Sequence, residues 1–161
     1  MNVLKYLLSG LLILFSLVGS VKAKPMPPAT LVEGLRNSVV LRCRYLGLSG
    51  NAKESSYFSG VRVRYRVEAV IKDKRQKPAQ NVTVGKSVEV IYQFDDGTAC
   101  LAPPSWKFDP AVMPALDSSW ILILREASDK AGKPIFDTYR GSWGRFRYSE
   151  ERLREIEASG K

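Results

Sequence analysis

Histidine is absent from this chain of 161 residues, and cysteine occurs only twice, as Cys43 and Cys100. Without an imidazole, and with two thiolates at most, a closed four-ligand zinc site cannot be assembled. Neither a metal nor any other cofactor is expected. The same shortage bears on catalysis, which needs a nucleophile and a base within reach of one another. What is left is carboxylate pairs or a Ser–Lys dyad. Asp95 and Asp96 sit in a turn where solvated acids belong, and Ser105-Trp106-Lys107 stands in no recognisable acyl-transfer pattern. The chain reads as a non-enzyme with no catalytic residues.

Long hydrophobic runs are also missing, save one. Leu7 to Val18 is interrupted only by Ser and Gly, follows the early charge of Lys5, and leads to Val21-Lys22-Ala23, small or apolar at the positions a signal peptidase reads. The run falls short of the roughly 20 residues a membrane span needs, and no basic cluster follows it. Residues 1–23 are therefore expected to be a cleaved signal peptide, placing the protein outside the cytoplasm, secreted or periplasmic, with no stable membrane span afterwards. Of the 25 basic residues only Lys5 and Lys22 precede the cut, so residues 24–161 carry 23 basic and 16 acidic side chains. That balance favours anionic neighbours, although it also serves solubility. The 138 residues suit one domain with one core. In an oxidising compartment an even pair of cysteines is expected to bond. A Cys43–Cys100 disulfide would close a loop of about 57 residues, worth roughly 4 kcal/mol in chain entropy.

The strongest pattern is Val61 to Asp73. Val61, Val63, Tyr65, Val67, Ala69 and Ile71 alternate with Arg62, Arg64, Arg66 and Glu68, broken only at Val70. A period of two predicts a strand with one buried and one wet face. Before it, Thr30-Leu31-Val32-Glu33 has the form of a capping box for a short helix ending near Asn37. Val39 to Leu48 is a strand with Leu41, Cys43 and Tyr45 on one face and Arg42 and Arg44 on the other. After it, Ser87 to Phe94 forms a third strand, with Val88, Val90, Tyr92 and Phe94 facing in. Thr98 to Asp117 is irregular, with four prolines among Trp106, Phe108, Val112 and Met113, and so long a stretch is expected to be pinned and functional. Ser118 to Arg125 is apolar on both faces and should be covered on both. Ile135 to Tyr148 is a fifth strand, bent at Gly141 and Gly144. Ser149 caps a last helix with Leu153 and Ile156 as its apolar stripe. Asn81-Val82-Thr83 is a glycosylation sequon, meaningful only in a cell that uses it. Five strands and a short helix at each end predict a mainly β fold, a small closed barrel.

The order of a short helix, a Val-Val-Leu-Arg strand, a long strand ending Val-Ile-Lys, a Val-Gly-Lys-Ser-Val-Glu-Val strand, a cysteine after a Gly turn, and a Trp-Ile-Leu-Ile-Leu strand resembles the netrin-like domain of tissue inhibitors of metalloproteinases. It is closer still to uncharacterised bacterial exported proteins sharing that domain. The resemblance covers residues 30 to about 148 and implies a five-stranded oligonucleotide/oligosaccharide-binding (OB) barrel. In those inhibitors an N-terminal cysteine chelates the protease zinc, tied by a disulfide to the cysteine after the third strand. Cys100 occupies that later position, but the expected mature N-terminus is Lys24-Pro25, so zinc chelation does not carry over.

Alternation places Arg42, Arg44, Arg62, Arg64 and Arg66 outward, and Arg145 and Arg147 add to the same sign near the C-terminus with Trp143 alternating; Trp106 and Phe108 would lead a protein interface. Basic and aromatic side chains so interleaved suit an anionic chain. The bland alternative is a solvated face, with Glu68 and Glu89 answering some of the charge. The expectation is an exported binding module that engages a protein partner or an anionic cell-surface component. The alternatives are a netrin-like protease inhibitor working without N-terminal zinc chelation and an OB-type polysaccharide or nucleic-acid binder.

Overall fold

Alternation reports which residues of a strand share a face, and pairing across the sheet settles which face that is in the computed structural model, which describes residues 29–49, 61–92, 111, 113–129 and 131–159. The expected leader over 1–23, the connection 50–60, and Phe94, Asp95, Asp96, Cys100, Trp106 and Phe108 lie outside the described residues. In chain order the elements are α1 (Leu31–Gly34), β1 (Val39–Leu48), β2 (Val61–Asp73), β3 (Ser87–Tyr92), β4 (Ser119–Ser128), β5 (Pro134–Thr138), a 3-10 turn (Gly141–Gly144), β6 (Arg145–Arg147) and α2 (Glu150–Ala158).

The sheet runs β1-β2-β3-β5-β4, and β4 pairs back onto β1, which closes a five-stranded OB-like barrel. Every pairing is antiparallel except β3 with β5. The expected bent fifth strand is present as β5 and β6, which lie along the same partner, β4, at either end of the 3-10 turn. Gly144 is required there for room: a Cβ on it would stand 2.7 Å from the backbone nitrogen and oxygen of Tyr139, closer than any side chain tolerates.

Two cores result. Inside the barrel, Leu41, Cys43, Tyr45, Val63, Tyr65, Val67, Val90, Leu122, Leu124 and Phe136 pack together, with Tyr45 and Tyr65 edge to face at 5.4 Å. Outside it, Val40, Ile121, Ile123, Leu35, Tyr139 and Ile156 are buried beneath the two helices. β4 thus supplies alternate residues to both cores, as its unbroken apolar run implied.

β2 also serves both cores, and its bulges explain how. Pairing with β1 steps from Lys72 opposite Val40 to Val70 opposite Leu41, and from Ala69 opposite Arg42 to Val67 opposite Cys43. Ile71 and Glu68 are the residues left over, and each such insertion turns the strand by one face. Hence Val61, Val63, Tyr65 and Val67 point inward while Ile71 packs into the outer core.

The helices are capped much as expected. Thr30 Oγ1 accepts from the Glu33 N–H at 3.2 Å, but the Glu33 carboxylate turns to Arg140 at 3.7 Å instead of returning to the cap. Ser149 accepts from the Arg152 N–H, and Lys72 from β2 donates to the Ile156 and Glu157 carbonyls at 2.9 Å each. That cation sits where the last turn of a helix is electronegative.

The expected Cys43–Cys100 disulfide is not shown: among the described residues Cys43 is a free, fully buried thiol, enclosed in the barrel core on the inward side of β1 between Val67 and Trp120, and Cys100 lies outside them.

A candidate anion-binding face

The outward positions of β1 and β2 bring five arginines onto one surface. Arg44 lies directly opposite Arg66 in the ladder, where side chains sit about 4.5–5.5 Å apart at Cβ and like charges cost roughly 0.2–1 kcal/mol. The structure relieves part of this repulsion. Glu68, the bulged residue, accepts from Arg44 Nε at 2.7 Å and lies 3.6 Å from Arg42 Nε. Arg62 binds Asp129 from the β4–β5 loop at 2.8 Å, and Glu89 on β3 takes Ser49 Oγ and Lys133. The Arg42 guanidinium also stands 5.4 Å from the centre of the Tyr148 ring.

Arg64 and Arg66 are exposed and have no carboxylate in ion-pair range among the described residues. With two residues of rise between them, they stand about 7 Å apart on the strand. The face as a whole gathers these five arginines and Lys133 against Glu68, Glu89 and Asp129, so it stays positive.

Two of the carboxylates there are held charged. A hydrogen bond from Ser49, resisted by burial and assisted by Lys133 and Arg62, keeps Glu89 below its usual range. Asp129 is lowered by the Lys133 N–H, then by Arg62 and the Ala131 N–H. Asp129 and Glu68 were not both legible as counter-ions in the sequence: Asp129 reaches Arg62 across 67 residues, and no local pattern reports such a contact.

The remaining basic and aromatic candidates separate from this face. Arg145 is opposite Leu122 and Arg147 opposite Trp120, partners that face the barrel interior. Arg145 is turned inward, its guanidinium 3.7 Å from the centre of the Tyr92 ring and 3.5 Å from Thr138 Oγ1. Burial pushes its pKa down, partly offset by Tyr92, Tyr65 and Asp137. Arg147 is exposed at the barrel's end. Trp143 joins the outer core against Tyr139 and Phe146. The expected alternation of Trp143, Arg145 and Arg147 fails because the 3-10 turn resets the phase of the strand. Trp106 and Phe108 lie outside the described residues.

Among the described residues, no group of three or more acidic or cysteine side chains could hold a metal ion. No helix among them is long and apolar enough to cross a membrane. Compared with protein-family models and with curated proteins, the chain matches none.

Proposed function

We propose that this chain is an exported, non-catalytic binding module of netrin-like type, and that the outward face of β1 and β2 engages an anionic surface polymer. The observation that carries this reading is the pair Arg64 and Arg66, exposed beside Arg44 and Arg62, with no carboxylate among the described residues to answer the pair. Guanidinium forks match sulfate and phosphate oxygens bidentately, and a polymer offers such groups in series.

The experiment is polyanion binding measured against salt, with duplex DNA and heparin as probes. If three arginines each displace a counter-ion, raising salt from about 50 to 200 mM weakens DNA binding roughly 40-fold, from a slope of about −0.9 per contact. Replacing Arg64 and Arg66 together by Gln lowers that slope by about two. Binding that ignores salt, or a double variant that binds as the parent does, overturns the reading and favours a protein interface instead.

A further inference from the structure

A second cationic feature lies beyond the other end of β2. The turn after α1, the β2–β3 connection and the far end of β4 enclose a cleft of about 350 Å³ lined by Asn37, Arg75, Gln76, Lys77, Arg125 and Glu126. Two of the charges there are consumed within the wall. Glu126 accepts from Arg75 Nη1 at 2.8 Å, from the Gln80 N–H at 3.1 Å and from the Ala79 N–H at 2.9 Å. Arg75 also binds Asp73 and the Gln80 carbonyl, and its side chain is 5 % exposed. Its guanidinium is thus committed to the wall.

Arg125 and Lys77 have no such answer. Arg125 donates to the Glu33 carbonyl at 3.1 Å and lies 4.4 Å over the Tyr139 ring. Its Nε is enclosed with no acceptor, and no carboxylate pairs with it among the described residues. Arg125 lines the cleft, so an anion bound there would meet a guanidinium that no carboxylate answers among the described residues. Lys77 is exposed and likewise unpaired among the described residues. Asn37, held at a φ of 51°, accepts through Oδ1 from the Gln76 N–H at 3.4 Å, which ties the two loops together at the rim and leaves the Asn37 amide nitrogen as a further donor.

We propose that this cleft binds the tetrahedral oxyanion of a small phosphate or sulfate monoester, held between the Arg125 guanidinium and the Lys77 ammonium. A planar fork and a flexible point charge together suit a dianion better than a single carboxylate. The volume lies at the lower end of small-molecule sites, about 300–1,000 Å³, with room for the organic part. The site shares no residue with the arginine face and stands or falls without it.

The test is an amide NMR titration of the full chain with sodium phosphate, with sodium sulfate, and with sodium chloride at matched ionic strength. Either oxyanion, or both, produces saturable shifts at Asn37, Gln76, Lys77 and Arg125 that have no counterpart in chloride. Arg125→Gln and Lys77→Gln each weaken that binding about tenfold, the usual scale for losing one charged hydrogen bond. Lys77 is exposed, so Lys77→Gln decides the matter even if the Arg125 variant fails to fold. Shifts that do not saturate, that chloride reproduces, or that Lys77→Gln leaves intact overturn the proposal.

Discussion

Arg145 carries the same charge as Arg64 and stands in the same kind of Arg-X-Arg alternation, yet one lies over a tyrosine inside the barrel and the other faces solvent. Alternation alone reports which residues share a face; the neighbour across the ladder decides which face that is. For Arg64 the uninterrupted Val63, Tyr65 and Val67 leave no choice. For Arg145 the strand is three residues long and begins at a 3-10 turn, so nothing local says which way it starts. Cys43 shows the same dependence, since burial on the inward face was readable and its bonding state was not. Burial, and next the nearby Glu68 charge, push its thiol well above the usual range, so the reactive thiolate is scarce. Native protein should therefore leave Cys43 unmodified by iodoacetamide near neutral pH. Unfolding without reductant should expose two alkylatable thiols by mass spectrometry; recovering none would mean that Cys43 and Cys100 are bonded after all.

At the level of elements, β4 was legible because Trp120 to Leu124 is apolar at every position, which only a doubly covered strand satisfies. β2 was legible as a strand but not as one that changes faces; the break at Val70 was its trace, and the bulged Glu68 and Ile71 are the cause. The glycines bending the last strand were read correctly as a kink; the reason at Gly144 is contact with Tyr139 and Ile123 backbone, and at Gly141 a φ of 58°. Gly144→Ala tests it. Forcing a methyl to within 2.7 Å of the Tyr139 nitrogen and oxygen should cost about 1–3 kcal/mol. Urea denaturation reads the loss directly, and an unchanged midpoint would show that the turn yields freely. Asp129, Glu126 and Arg125 belong to contacts spanning 46 to 92 residues, beyond the reach of any pattern within one element.

For the whole molecule, the titration behaviour follows from which carboxylates are perturbed. Asp73 is held low first by its hydrogen bond from Arg75. Burial works against the charged form of Glu126, but the Ala79 and Gln80 N–H groups and Arg75 together outweigh it. With Glu89 and Asp129 also lowered, these groups bind protons less readily folded than unfolded. Their stabilisation is complete above the unfolded values near 4 and is lost as pH falls through the lower folded ones. Because the chain has no histidine, no side chain of ordinary pKa adds a transition between about pH 5.5 and 7.5. Thermal unfolding should show a Tm that is level across that window and declines below about pH 4. A step near pH 6.5 would contradict this assignment of charges.

The position of β5 between β3 and β4 has a consequence for how the polypeptide is made. A chain emerging from its N-terminus presents β1, β2 and β3 as a growing ribbon, and β4 can then dock on the free side of β1. Until Pro134–Thr138 arrives, the ribbon is an open gutter with two unsatisfied rims, one on β3 and one on β4, each able to recruit a stray strand from a neighbour. A released chain ending before residue 134 would therefore keep both rims open, and the five residues of β5 close them.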